Sequence, residues 1–309
     1  MTLSRVPMEF SHLVVACDKT EAARAAQAAA FDIAWRVGGR ISVIFVASVV
    51  MDRTIEVQAE LVPAGVGGDE LSDEYENLCQ WWRSGREEAD CAQAKDVPVQ
   101  CMVGLGLPSV EITRYAEDHD GDLIVMTRKR HSQLRRMLLG DTADSVVRRS
   151  RAPCLFVPPD GFDGARVLVA VDGRERGLAV AHAGVEFARA IGGELSFVTV
   201  EQARSDEPAA LAERLPGGRT VTLARGLDQI LLGDERNSSS KRGGSSAANM
   251  LRVRKGNPVP EILQEVADCQ AGVLVVGYHR GGPPGPLESR SVARQLTHRA
   301  PCAVLTVPL

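Results

Sequence analysis

Gly106-Leu107-Pro108, Glu111-Ile112 and Asp122-Leu123-Ile124-Val125-Met126 recur about 150 residues later as Gly256-Asn257-Pro258, Glu261-Ile262 and Gly272-Val273-Leu274-Val275-Val276, without drift across the segment. One design is used twice. Solenoid repeats span about 20 to 50 residues, so a period this long makes each copy a whole domain able to bury its own core. The full length of 309 residues agrees with two domains at about 100 to 200 residues each. The expected division is 1–159 and 160–309.

Outward from the repeat, the first copy alternates strand and helix signals. His12 to Cys17 is an apolar run ending in Asp18, which suits a strand buried on both faces. An Ala-rich stretch from Glu21 to Val37 predicts a helix stopped by Gly38-Gly39. Ile41 to Ala47 predicts a second strand, residues 69 to 94 a helix, Val97 to Val103 a third strand, and Pro108 to His119 a helix with Pro in its first turn. Leu123 to Thr127, Gly140 to Arg149 and Cys154 to Val157 complete the copy as strand, helix and strand. The second copy repeats the order from Arg166 to Asp172, Glu175 to Ile191 and Leu195 to Val200, then Leu251 to Arg254, Val273 to Gly277 and Ala303 to Val307. Residues 201–233 carry only weak helical signals, and 234–248 is expected to be a mobile loop because Ser, Gly and basic residues dominate it. Asp160 to Gly164 is the expected linker. Such alternation predicts parallel sheets covered by helices on both faces.

Composition narrows the function classes. Apolar residues at 44% and charged residues at 25% are ordinary for globular chains, while aromatics at 4% are few. A net charge of −4 gives no general attraction to nucleic acid or anionic lipid. No apolar run approaches the roughly 18 residues of a membrane span, and residues 1–10 carry no signal-peptide pattern. A cytoplasmic location is expected. The seven cysteines form no CxxC pair and read as reduced thiols filling core space.

An acid closing the first strand, Gly-x-Pro before the third helix, the run Asp122 to Met126, and Leu134-Arg135-Arg136-Met137-Leu138-Leu139-Gly140 followed by Ala152-Pro153-Cys154 together resemble the universal stress protein family in its tandem form. The resemblance implies an α/β fold of two tandem five-stranded parallel-sheet domains, Rossmann-like and similar to adenine-nucleotide alpha-hydrolases. It also implies a pseudo-dimer joined near the last strands, and many relatives pair again as homodimers. Nucleotide-binding members carry Gly-x-x-Gly, nine residues, then Gly-Ser or Gly-Thr. Glycines let backbone approach phosphates, and the closing pair opens a helix whose N–H groups favour anions.

Both copies depart from that pattern. The first holds Thr127 and Arg130 at the two leading glycine positions, with the spacing intact, and closes with Gly140-Asp141-Thr142. Asp141 would cap its helix yet repel a phosphate. Arg128, Lys129, Arg130, His131, Arg135 and Arg136 make this loop basic. Two readings stand: anion capture by side chains, or a solvated loop, one that pairs with acidic neighbours at a domain interface included. The second copy keeps Gly277, places Arg280 at the second glycine, and closes with Arg290-Ser291. Pro283, Pro284 and Pro286 remove backbone donors from its loop. Ser291 can cap a helix or meet an anion. Asp18 and Asp172 fall where the resemblance places adenine or ribose contacts, at the carboxyl edge of a sheet; an acid before a helix is also an ordinary N-cap. On retained motif, the second copy is favoured for ATP or a related adenine nucleotide.

GxSxG, HExxH and GxxxxGK[ST] are all missing from the sequence. The six histidines lie apart without metal-ligand spacing and read as surface or capping residues. The expected function is therefore a non-catalytic regulatory or scaffold protein of the stress response, requiring no cofactor and acting through a protein partner and self-association. The alternative is a stress sensor that binds adenine nucleotide in one copy.

Overall fold

The computed structural model describes residues 10–47, 69–88, 96–128, 141–172, 175–201, 223, 226–231, 250–279 and 291–309. The first half contains β1 (His12–Ala16), α1 (Ala23–Val37), β2 (Arg40–Ala47), α2 (Asp69–Glu88), β3 (Val99–Leu105), α3 (Pro108–Asp118), β4 (Leu123–Thr127), α4 (Asp141–Arg149) and β5 (Cys154–Val157). The second contains β6 (Arg166–Ala170), α5 (Glu175–Ile191), β7 (Glu194–Glu201), β8 (Leu251–Lys255), α6 (Pro258–Asp268), β9 (Val273–Tyr278), α7 (Val292–Arg299) and β10 (Ala303–Pro308). The expected elements form. The third strand runs two residues later than its apolar pattern implied, with Val97 buried just ahead of it. The expected loop 234–248 and the basic loop beyond Arg128 lie outside the described residues.

The ten strands of the described residues join one sheet in the order β3-β2-β1-β4-β5-β10-β9-β6-β7-β8. Among the described residues each half is parallel within itself, and the single antiparallel pair is β5 with β10. There Leu155 pairs with Leu305 and is flanked by Phe156–Val304 and Cys154–Thr306. Leu155 and Leu305 are equivalent positions of the two copies, so a pseudo-two-fold axis passes between them. Because the halves run in opposite directions, their carboxyl edges lie along opposite edges of the common sheet, at opposite ends of the strands.

Alternation along the strands sends side chains to two core layers. Leu13, Val15, Val125, Leu155, Val169 and Leu305 pack beneath α1, α2 and α5. Val14, Ile124, Phe156, Leu274 and Val304 pack beneath α3, α4, α6 and α7. Each layer runs through the β5–β10 junction, so the copies share their cores as well as filling their own. Gly38 and Gly192 end α1 and α5 in the left-handed region, at φ +65° and +68°, where a side chain would be strained.

Candidate functional site

In each half the strand order reverses between the first and fourth strands, and the carboxyl edge at such a switch point is where open α/β sheets take ligands. Sequence reasoning placed Asp18 and Thr127 at one such edge and Asp172 and Gly277 at the other. The structure puts Asp18 and Asp172 two residues past the ends of β1 and β6, the strands that pair with β4 and β9, which carry Thr127 and Gly277. Arg130, Gly140, Arg280 and Arg290 lie outside the described residues. Thr142 sits half-buried in the first turn of α4.

In the first half the described groups at this edge bond to one another. The Asp18 carboxylate accepts from Thr20 N at 3.2 Å and from Thr20 Oγ1 at 2.5 Å, closing the turn from β1 into α1. Lys19, at φ +56°, turns its ammonium onto Glu74 of α2 and lies 4.0 Å from the centre of the Phe45 ring. Arg24 fastens α2 from below, donating to Trp81 O at 2.6 Å and Ser84 Oγ at 2.8 Å while covering the Trp81 ring. Thr127 stands at the first glycine position of the nucleotide-binding pattern, and its hydroxyl donates to Ala22 O at 3.1 Å. That bond ties the end of β4 to the start of α1.

Arg128 is the correction. Grouped in the sequence with a basic loop that captures anions, is solvated, or pairs with acidic neighbours at a domain interface, it is buried at 6% exposure and pairs across the halves with carbonyls instead of acids. Its guanidinium reaches into the other half, donating to Thr297 O at 2.7 Å, Ala300 O at 2.6 Å and, more weakly, Cys302 O at 3.4 Å. Thr297 and Ala300 lie at the C-terminal end of α7, where a helix leaves acceptors without intrahelical donors and carries partial negative charge, while Cys302 lies between that end and β10. The planar fork of Arg suits several acceptors at once. The second copy has Tyr278 here, buried in the same core layer as α4 and α7.

In the second half Asp172 is exposed just beyond β6. A Cβ on Gly277 would come within 2.7 Å of both Val180 Cγ2 and Leu309 Cδ1. Close packing therefore requires this glycine whether or not a phosphate approaches it. Ser291 is the N-cap of α7, its hydroxyl accepting from Arg294 N at 3.4 Å. Arg176 at the start of α5 faces His279 Nδ1 at 3.3 Å.

Sequence reasoning also missed a buried polar chain at the opposite end of β1. Read as a surface or capping residue, His12 is only 4% exposed. Its Nε2 lies 2.8 Å from Ser42 Oγ, its Nδ1 2.9 Å from His119 O, and Tyr115 OH donates to Ser42 Oγ at 3.1 Å. Burial, with help from Arg40 and against the His119 carbonyl and Asp122, holds the imidazole below its ordinary 6.5. Burial likewise pushes Cys17, Cys101 and Cys154 up to about 12 and Cys302 up to about 11, so these thiols are protonated fillers. Among the described residues, no group of three or more His, Cys, Asp or Glu is placed to hold a metal, and no helix is long and apolar enough to cross a membrane.

Comparison with known proteins accords with this architecture. A solved universal stress protein from Archaeoglobus fulgidus superposes with a TM-score of 0.69 at 19% identity, covering 97% of this chain and 98% of that one. A functionally unknown protein from Pseudomonas aeruginosa superposes at 0.61 and 14% identity, covering 97% and 94%. These likenesses show the fold. A universal stress protein of Methanocaldococcus jannaschii is 29% identical over 91 residues, a match that spans 29% of this chain and 56% of that relative. The model of the universal stress protein family matches residues 9–158 and again 165–308, and the chain belongs to that family as a tandem member.

Proposed function

We propose that this tandem protein acts in the stress response as a non-catalytic regulatory or scaffold protein that needs no nucleotide. The observation that carries the reading is how the described residues at the first edge are engaged: Lys19 is held by Glu74 and Phe45, and Thr127 is bonded to Ala22 O. A phosphate cradle needs free backbone donors and open approach, and this edge offers neither Thr127 nor Lys19 to a ligand. The proposal extends to a cytoplasmic location, a protein partner, and self-association of whole chains.

A second reading, a sensor that binds adenine nucleotide in the second half, draws on particular residues there. Gly173 follows Asp172 where Lys19 follows Asp18, and Thr199 stands at the β7 position matching Phe45 on β2. The pair of Lys19 and Phe45 thus has no counterpart. The two readings separate by denaturing the purified protein and examining the supernatant by mass spectrometry. The scaffold reading predicts no adenine nucleotide. Near-stoichiometric release, lost in Ser291→Ala, would overturn it in favour of the sensor.

A further inference from the structure

The β5–β10 junction is a pairing surface between two copies of one design, and its register places the pseudo-two-fold axis at Leu155 and Leu305. Only residues lying beside such an axis meet their own equivalents, since elsewhere residue i meets j and j meets i. Asp144 of α4 and Arg294 of α7 are equivalents, each the fourth residue from Asp141 and Ser291 at the two closing positions. They meet: Arg294 Nη2 lies 2.6 Å from Asp144 Oδ2, with side chains only 19% and 10% exposed. One position of the design thus carries an acid in one copy and a base in the other, and the two are used against each other.

We propose that Asp144 and Arg294 form a charge code that makes the first half pair with the second and excludes pairing of either half with its own kind. Two first halves joined through β5 would set Asp144 against Asp144 in a largely buried site. Two second halves joined through β10 would set Arg294 against Arg294. Like charges brought together away from solvent penalise the wrong pair more strongly than the correct pair is favoured, which is how specificity is gained. The partner this surface fits is a domain of the same fold bearing the opposite charge at the position equivalent to Asp144 and Arg294.

The test begins from the intact chain. A protease site inserted between the exposed Pro159 and Asp160, which leaves Gly161 at its φ of +111°, allows cleavage while the halves remain paired. Nicked protein is then held in mild denaturant, returned to buffer, and its pairs counted by native mass spectrometry. The native sequence should give mixed pairs in excess over the random one-to-one ratio of mixed to self pairs by about tenfold or more. Asp144→Asn with Arg294→Gln removes both charges and should let self pairs appear. Asp144→Arg with Arg294→Asp should restore mixed pairs, which shows that any loss in the neutral protein is not a failure to fold. Self pairs in the native sequence, or unchanged discrimination in the neutral one, would overturn the proposal.

Discussion

Replacing Arg128 by Ala removes a guanidinium from the C-terminal end of a helix in the other half. Two short charge-assisted bonds are lost, to Thr297 O and Ala300 O, and a long third to Cys302 O. Bonds to charged groups contribute about 1.5 to 3 kcal/mol each, and a buried carbonyl left without a donor costs about 1 to 3 kcal/mol. These overlap, so the two short bonds together give about 3 to 5 kcal/mol, within which the favourable cation at the helix end accounts for about 1 kcal/mol. Because Arg128 belongs to one half and its acceptors to the other, the loss should fall on the cohesion between halves. Urea denaturation followed by hydrogen exchange at α7 measures it, since a two-domain chain need not unfold in one step. Arg128→Lys should recover part of the loss, because an ammonium keeps the charge without the planar fork. A change below about 1 kcal/mol in Arg128→Ala, or exchange at α7 that stays as slow as in the native protein, would refute this reasoning.

Other perturbations follow from the same geometry. The folded-state value of His12 lies below its ordinary 6.5, so the unfolded chain binds the extra proton first and stability falls as pH drops through about 6.5. A melting temperature followed from about pH 8 to about pH 5 should decline, and His12→Asn should flatten the part of that decline lying near the histidine range; an identical profile in the variant would remove His12 as the cause. Gly277→Val should cost about 1 to 3 kcal/mol by overpacking against Val180 and Leu309, in urea titrations without nucleotide, and a neutral result would contradict the packing account. Thr127→Gly restores a family glycine yet loses the bond to Ala22 O. It should cost about 1 kcal/mol and confer no thermal response to ATP, because Lys19, Glu74 and Phe45 still engage one another at the first carboxyl edge; ATP binding gained from this change alone would show that their contacts do not block that edge.

The fold was legible because strand and helix signals are local: apolar runs such as Leu123 to Met126 and stops such as Gly38-Gly39 carry their meaning within a few residues. The candidate site was legible where a motif fixed the spacing, which is why Asp18 with Thr127, and Asp172 with Gly277, were placed on common edges. What those residues do there depends on distant partners. Lys19 meets Glu74 across 55 residues, in a stretch without a motif. Arg128 meets carbonyls 169 to 174 residues away, and a cation beside Lys129 and Arg130 reads as solvated until the sheet order is known. His12 reads as a surface residue because its partners, Ser42 and Tyr115, gather around it only when β2 and α3 pack on β1. The opposite charges at Asp144 and Arg294 are visible in the repeat, yet they signify a contact only once β5 and β10 define an axis between them.

The measurement that bears most directly on the central claim is the thermal response of the intact chain to ATP at about 10 mM. Binding at a dissociation constant of about 0.1 mM would stabilise the folded protein by roughly 2.7 kcal/mol, a shift of several degrees for a chain of this size. A protein whose first carboxyl edge is engaged by Lys19, Glu74 and Phe45, and whose Gly277 and Ser291 serve packing and capping, should show no resolved shift. A concentration-dependent rise of several degrees, diminished by Ser291→Ala, would contradict the account.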